Sequence, residues 1–349
     1  MTKVLRVNPL NPSAEAISEA AQAIIGGGTV AFPTETVYGL GANAFDAEAV
    51  KRVFKIKGRP SDNPVIVHIS KLEQLKDVAA PVSEELMAKF KVLWPGPITF
   101  VLKGNGELPA EVTAGLDTVT VRMPAHTVAL RLIDAAKIPI AAPSANISGR
   151  PSATSAEHVI EDLDGKADVI LDGGNTIFGL ESTIMDLTGE RPRLLRPGAY
   201  TVEELKRYFP DMDASEVVIS EGETPLSPGL KYKHYAPDKT LVVARDEGVI
   251  LAAAKELGGK RILFLCSSET AHLMPDGAMV IALGSRADLY RIAQNLFDSI
   301  RKIDKSDADI AVIEQFPERG IGLALMNRIK KAANMKFAAS ADEIASLLK

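Results

Sequence analysis

Two periods of apolar residues alternate along the first two hundred positions. After Ser13, Ile17, Ala20, Ala21 and Ile24 recur at i, i+3, i+4 and i+7, which is one buried helix face. Ser13 serves as its N-cap and Gly26-Gly27-Gly28 as its stop. Val50, Val53 and Phe54 repeat the pattern behind Asp46 and run into Gly58. Further helices are predicted over 83–93, 126–137 and 202–209, the last opened by a Thr201/Glu204 capping box. Between them lie short apolar runs of strand type: TVAF (29–32), VIVHI (65–69), ITFVL (98–102) and VTVRM (119–123). IPIAA (138–142), DVILD (168–172), TIMDL (183–187) and RLLR (193–196) complete a mixed α/β domain.

Beyond residue 239 the pattern is simpler. TLVVA, RILFL, MVIAL and DIAVI alternate with helices near 246–257, 286–302 and 322–334, and Ser340 with Glu343 caps a final helix. Alternation at this spacing predicts a small, mainly parallel, Rossmann-like sheet. It carries no dinucleotide fingerprint, because Gly258-Gly259 leads into a strand and not a helix. The boundary falls around SPGLKYKHYAP (227–237), whose prolines and glycine break regular structure. The expected organisation is a domain over 1–215, a linker over 216–238 and a second domain over 239–349. Two domains also suit 349 residues, more than one core usually organises.

With 46% hydrophobic and 24% charged residues, the composition is that of a globular protein. No apolar run approaches the roughly 18–20 residues that span a bilayer, and MTKVLRVNPLNPSAEA lacks the apolar core of a secretory signal. A cytoplasmic location without membrane contact is expected. The single Cys266 excludes an internal disulfide and a thiolate-rich zinc site, and at the end of an apolar strand it reads as core. The net charge of −5 argues against a general nucleic-acid surface. KRVFKIKGRP (51–60) nevertheless holds five basic residues and no acidic one. It is either a solvated helix face or part of an RNA-binding module without catalysis, the alternative function.

Neither H-E-x-x-H, C-x-x-C, G-x-S-x-G nor G-x-x-x-x-G-K-[ST] occurs. The candidate chemistry lies in polar residues at strand ends and turns. Thr34, Glu35, Thr36 and Tyr38 follow an apolar strand directly. Lys57 and Arg59 flank a glycine on a stretch stiffened by Pro60 and Pro64, which suits phosphate oxygens, and His68 interrupts a strand. Thr118 and Arg122 share one strand face, and an Arg amid Val and Met needs an anionic partner. APSANISGRPSAT offers Ser144, Asn146, Ser148 and Ser152; ESTIMDL offers Ser182 and Thr183; LRPGA offers Arg196. Such a pocket has cations and no obvious nucleophile, which points to phosphate-ester binding and transfer between bound substrates.

In this order, PTETVYGLG, K-G-R-P with N-P and a downstream His, VRMP, PSAN-SG, ST-I-D and LRPGA resemble the YrdC/Sua5 family. The connector and trailing domain are similar to its longer, two-domain Sua5 type. At 152–154 the family often reads S-P-T and this chain reads Ser-Ala-Thr. The resemblance implies an α/β fold: a YrdC-like mixed twisted sheet with helices around a deep polar pocket, then a small Rossmann-like parallel domain. It implies threonylcarbamoyl-AMP synthase activity, a nucleotidyl transfer in which L-threonine, bicarbonate and ATP give threonylcarbamoyl-AMP and pyrophosphate. The product passes to a tRNA threonylcarbamoyl transferase complex, for N6-threonylcarbamoyladenosine at position 37 of tRNAs reading ANN codons. Stable tRNA binding by this chain is not expected.

By matching motifs, Thr36, His68, Arg122, Ala142 and Ser182 would hold threonine. Lys57, Arg59, Asn63, Thr118, Ser144, Ser152, Arg196 and Tyr235 would hold ATP. No side chain acts as nucleophile; catalysis rests on positioning and on charge stabilisation by Lys57 and Arg59. Mg²⁺ is expected with ATP, without protein ligands that can be named, and no prosthetic group is expected. The carbamate intermediate decomposes in water, so the connector is expected to close over the site as a lid, Tyr235 and neighbouring Lys or His reaching the nucleotide or pyrophosphate.

Overall fold

Ser13 accepts a hydrogen bond from Ala16 N and opens the helix Ala14–Ile25, which buries Ile17, Ala20, Ala21 and Ile24. Asp46 does the same for Ala47–Lys57, and Gly58 ends that helix in the left-handed region (φ 61°). Both follow their predicted faces. The computed structural model describes residues 1–215, 225–227 and 235–348.

The described residues form two units. The first holds residues 1–148, 152–177 and those from Glu181 to Ser227; the second holds Gly149–Pro151, Phe178–Leu180 and those from Tyr235 onward. In the first unit the strands are β1 Lys3–Arg6, β2 Val30–Phe32, β3 Gly39–Asn43, β4 Val67–His68 and β5 Ile98–Lys103. They continue as β6 Thr118–Arg122, β7 Ile140–Ala141, β8 Val169–Asp172, β9 Thr183–Asp186 and β10 Arg193–Arg196. The sheet order is β1-β8-β2-β3-β7-β4-β6-β5-β9-β10. It is mixed: β4 runs parallel to β6, and β5 parallel to β9, while β5 and β6 are antiparallel.

Phe100 of β5 pairs with Val121 of β6, and both join a core with Phe90, Leu93 and Trp94 from the helix Glu84–Leu93 and the turn after it. Side chains alternate along a strand, so Thr99 and Arg122 project from the opposite face. A second core packs the helices Ala14–Ile25 and Thr127–Ala136 on Val30, Phe32 and Leu171.

Several elements depart from expectation. VIVHI forms ladder only at Val67–His68, because Val65 N donates to Val112 O outside the sheet. The helix predicted over 202–209 is regular only over Val202–Leu205, although its capping box forms. Strands β1 and β3 and the helix Ala156–Leu163 were not foreseen. The β3 sequence GLGAN carries no β-branched residue, and tertiary packing decides it. A Cβ at Gly41 would lie 2.5 Å from Ile140 Cγ2 and 2.7 Å from Phe32, so only glycine permits this approach.

The second unit is a parallel sheet of β11 Thr240–Ala244, β12 Ile262–Cys266, β13 Met279–Ala282, β14 Ile310–Glu314 and β15 Phe337–Ala338. Its order is β13-β12-β14-β11-β15, and the two-residue β15 was not predicted. The helix expected over 286–302 begins three residues later, at Leu289, where Asp288 caps it. Cys266 is fully buried and its thiol is pushed up to about 12, chiefly by that burial, which makes it core. Among the described residues no helix is long and apolar enough to cross a membrane.

Candidate active site

Strand register assembles the centre of the site. His68 of β4, Arg122 of β6 and Thr99 of β5 occupy one rung, so three strands place these side chains on one face. Arg122 is buried and its Nη1 donates to Thr36 Oγ1 at 2.8 Å. Its Nη2 lies 2.7 Å from Glu35 Oε2. Thr99 Oγ1 lies 2.8 Å from Ser182 Oγ, and Arg196 donates to the Ser182 carbonyl from Nε (3.1 Å) and Nη2 (3.0 Å). Thr36, His68, Arg122, Ser182 and Arg196 therefore belong to one buried polar face. Gly198 lets the chain after β10 turn close against this face, because a Cβ there would meet Thr183 N at 2.2 Å.

A second group forms where the helix Ala47–Lys57 ends. Lys57 Nζ donates to the carbonyls of Ser144 (2.5 Å) and Asn146 (2.6 Å). Burial and then the charge of Arg59 push its ammonium down to about 7, while Asp162 opposes them. Arg59 is half-buried and its Nη2 donates to the carbonyls of Asn63 (2.9 Å) and Pro64 (3.1 Å). Asn63 is only 1% exposed, yet neither end of its amide has a hydrogen-bond partner among the described residues.

Ala142 joins the two groups through the backbone: its N–H donates to Ile66 O, two residues before His68. Ser144 bridges to Gly39, at the start of β3. Ser152 Oγ donates to Glu181 Oε1 at 2.5 Å, one residue before Ser182. Thr118 shares the Arg122 face but lies four residues earlier, roughly 13 Å along the strand.

The connector is described only in part. Leu226 packs against Ile66, Val101, Ile184 and Leu195, and Ser227 beside it is buried. Residues 228–234, including the Lys and His expected in the lid, lie outside the described residues. Tyr235 is buried in the second unit, where its ring stacks on Phe297 (5.0 Å) and faces the Arg328 guanidinium (5.7 Å).

The imidazole of His68 is pushed down to about 3, first by burial and then by Arg122, so it is neutral near pH 7. Its Nδ1 has no hydrogen-bond partner among the described residues. His126, at the N-cap position of the helix Thr127–Ala136 but without a capping hydrogen bond, also leaves Nδ1 without a partner among the described residues. Burial lowers its pKa, with Glu35 pulling it up and Arg122 pulling it down.

Sequence reasoning assigned no role to Thr99, Glu181 or His126, and named Glu35 only as part of a polar turn. Thr99 had a signal, a hydroxyl inside an apolar strand; the partnership of Glu181 with Ser152 had none. The basic run at 51–60 is not an open cationic surface. Lys51 pairs with Glu48 and Glu111, Arg52 pairs with Asp168, and Lys57 points inward.

Two family models match successive stretches of the chain. Residues 22–198 match the Sua5_yciO_yrdC family model, described as telomere recombination. Residues 200–334 match the Sua5_C model, described as the C-terminal domain of threonylcarbamoyl-AMP synthase. The threonylcarbamoyl-AMP synthase of Pyrococcus abyssi is 46% identical over 327 residues, covering 91% of this chain and 94% of that protein. The Bacillus subtilis protein of the same name is 44% identical over 321 residues, covering 91% and 92%. The crystal structure of P. abyssi Sua5 complexed with L-threonine superposes with a TM-score of 0.88 at 43% identity, covering 97% of this chain and 99% of that one. The chain belongs to the Sua5/YrdC family, in its two-domain Sua5 form.

Proposed function

We propose that the chain is an L-threonylcarbamoyladenylate synthase, joining L-threonine, bicarbonate and ATP to give threonylcarbamoyl-AMP and pyrophosphate. The observation that carries this reading is the buried polar face around Arg122, whose donors and acceptors are left partly unmatched inside a fold shared with named synthases. Buried polar atoms are otherwise almost always hydrogen-bonded, so such a face implies a polar ligand.

In this reading Arg122, Thr36, His68, Ser182 and the backbone at Ala142 hold threonine. Its α-ammonium gives up a proton, the free amine adds to bicarbonate with loss of water, and the resulting carbamate oxygen attacks the α-phosphate of ATP. Pyrophosphate leaves as the new P–O bond forms. Neutral His68 accepts or donates a hydrogen bond without adding charge beside Arg122. Lys57 and Arg59, with Asn63, Thr118, Ser144, Ser152 and Arg196, hold the nucleotide, and the cations stabilise charge passing to pyrophosphate. The side chains bind and orient, and none of them need form a covalent bond.

The described residues present no group of three or more His, Cys, Asp or Glu that could cage a metal. A divalent cation such as Mg²⁺ would enter on the phosphates of ATP, neutralising part of their charge. The product would serve a separate transferase that modifies position 37 of tRNAs reading ANN codons, in the cytoplasm.

The test is pyrophosphate release from ATP with bicarbonate and each amino acid singly. Release that requires threonine and bicarbonate jointly supports the proposal. Salt-dependent tRNA binding without nucleotide turnover would replace it with the RNA-binding module.

A further inference from the structure

Glu35 stands in the heart of the polar face without an assigned task. It lies on the turn between β2 and β3, and its backbone is fixed on both sides. Thr34 Oγ1 donates to Val37 O at 2.6 Å, and Ile177 N donates to Glu35 O at 3.1 Å. Its side chain is 2% exposed. One oxygen lies 2.7 Å from Arg122 Nη2, but the contact is off-axis: neither Glu35 oxygen accepts an aligned hydrogen bond from any described residue. Arg122 Nε and Nη2 likewise donate to none.

Serving as counter-ion to Arg122 does not account for this geometry. A buried pair is stable when its remaining lone pairs and protons are matched, and here most are open. Thr36 adds a further acceptor. Thr34 gives its hydroxyl proton to Val37 O, so Thr36 is the donor in the 2.9 Å contact between the two hydroxyls. Thr36 Oγ1 also accepts from Arg122, which leaves it one free lone pair. The open donors of Arg122 thus sit beside the open acceptors of Glu35 and Thr36.

We infer that Glu35, with the free lone pair of Thr36, receives the α-ammonium of the amino-acid substrate while Arg122 receives its α-carboxylate. The site is a preformed receptor for a zwitterion. This assignment rests on the threonine-dependent reading above and adds a specificity residue to it. A carboxylate and an ammonium on one carbon match a guanidinium and a carboxylate held side by side, and each new contact is charge-assisted. Amino acids lacking either charge would leave one half of the buried pair unmatched.

The test compares L-threonine with 3-hydroxybutanoate, which carries hydrogen in place of the amino group, by calorimetry on the full chain. Wild type should prefer threonine by roughly tenfold or more, the worth of one hydrogen bond to a charged group. In Glu35→Gln the preference should shrink to within about threefold, because the neutral amide holds the ammonium far less well. A purely structural Glu35 would weaken both ligands together and leave their ratio unchanged, which overturns the inference.

A second readout uses wild type alone and so survives a variant that does not fold. As pH rises through deprotonation of the free ammonium, threonine affinity should fall relative to that of 3-hydroxybutanoate. The second ligand controls for titration of Lys57, His68 and His126 and for the fixed charge of Arg122. A flat ratio overturns the inference. Failure of wild type to bind threonine at all removes the functional reading as well, whereas retained preference in Glu35→Gln removes this inference alone.

Discussion

Each unit of the molecule buries an Arg–Glu cluster at the carboxyl ends of its strands, and the two clusters differ in completeness. In the second unit Glu314, at the end of β14, is 2% exposed. It accepts from Ser267 N (2.7 Å), Thr270 Oγ1 (3.0 Å) and Arg286 Nε (2.7 Å). Arg286 also reaches Glu247 Oε2 (2.8 Å) and donates to Thr270 Oγ1 (2.6 Å). No side-chain atom of that cluster is left buried without a partner. In the first unit Glu35, Arg122, His68 and Asn63 all keep buried atoms that make no hydrogen bond to any described residue. Both clusters lie where α/β sheets usually hold ligands, so position alone does not separate them. Satisfaction does: a complete polar network specifies a fold, and an incomplete one awaits a ligand.

The comparison predicts opposite consequences for similar substitutions, and the largest should fall on stability in the second unit. Glu314→Gln turns an acceptor toward N–H donors and leaves Arg286 with one carboxylate fewer. Removing one partner of a buried pair costs about 3–5 kcal/mol, and the partial exposure of Arg286 places the expected loss near the lower end, about 3 kcal/mol. Calorimetric scanning should show an earlier transition, while pyrophosphate release per folded molecule at 25 °C stays within about twofold of wild type, as for a change outside the reacting groups. A large fall in turnover with unchanged melting would mean that the complete cluster is functional after all.

Arg59→Ala comes next. Loss of one preorganised charge-stabilising group typically lowers turnover about 10²- to 10³-fold, and kcat/KM for ATP should fall by that order. Threonine affinity should remain within about twofold, because Arg59 Nη2 is tied to the Asn63 and Pro64 carbonyls and the threonine contacts are assigned to the Arg122 rung. Calorimetry showing intact ATP affinity in the variant would remove Arg59 from the phosphate site.

Much of this organisation was legible because it is local. Ser13, Asp46 and Ser340 cap helices where the sequence places them, and the apolar faces behind them are buried as their spacing requires. The motifs also named His68 and Arg122 of the rung, though not Thr99. Register across strands that are distant in sequence was not legible, since it depends on which strands pair. Nothing local brings Thr99 beside Arg122 or Ser182 beside Thr99. GLGAN failed as a strand signal because its glycines answer to close packing against Phe32 and Ile140. The basic run stayed open between two readings for the complementary reason: charge density is visible in a sequence, but the acidic partners of Lys51 and Arg52 at Glu111 and Asp168 are brought in by the fold.

Asn63 gives the smallest effect and the sharpest test of the comparison. Its amide is buried with both the oxygen and the nitrogen unpartnered, so in the free protein it carries a desolvation cost that no described hydrogen bond offsets. Asn63→Leu replaces it with an apolar group of similar size. If the amide waits for the nucleotide, the variant should melt at or above the wild-type temperature, because the unmatched polar group is gone. Its ATP concentration for half-maximal pyrophosphate release should rise about tenfold, the worth of one or two hydrogen bonds made only with ligand. A structural amide gives the reverse pattern, with lowered melting and unchanged ATP dependence. That outcome would break the rule separating the two clusters, since an unmatched buried group would then mark strain in the fold and not a place for substrate.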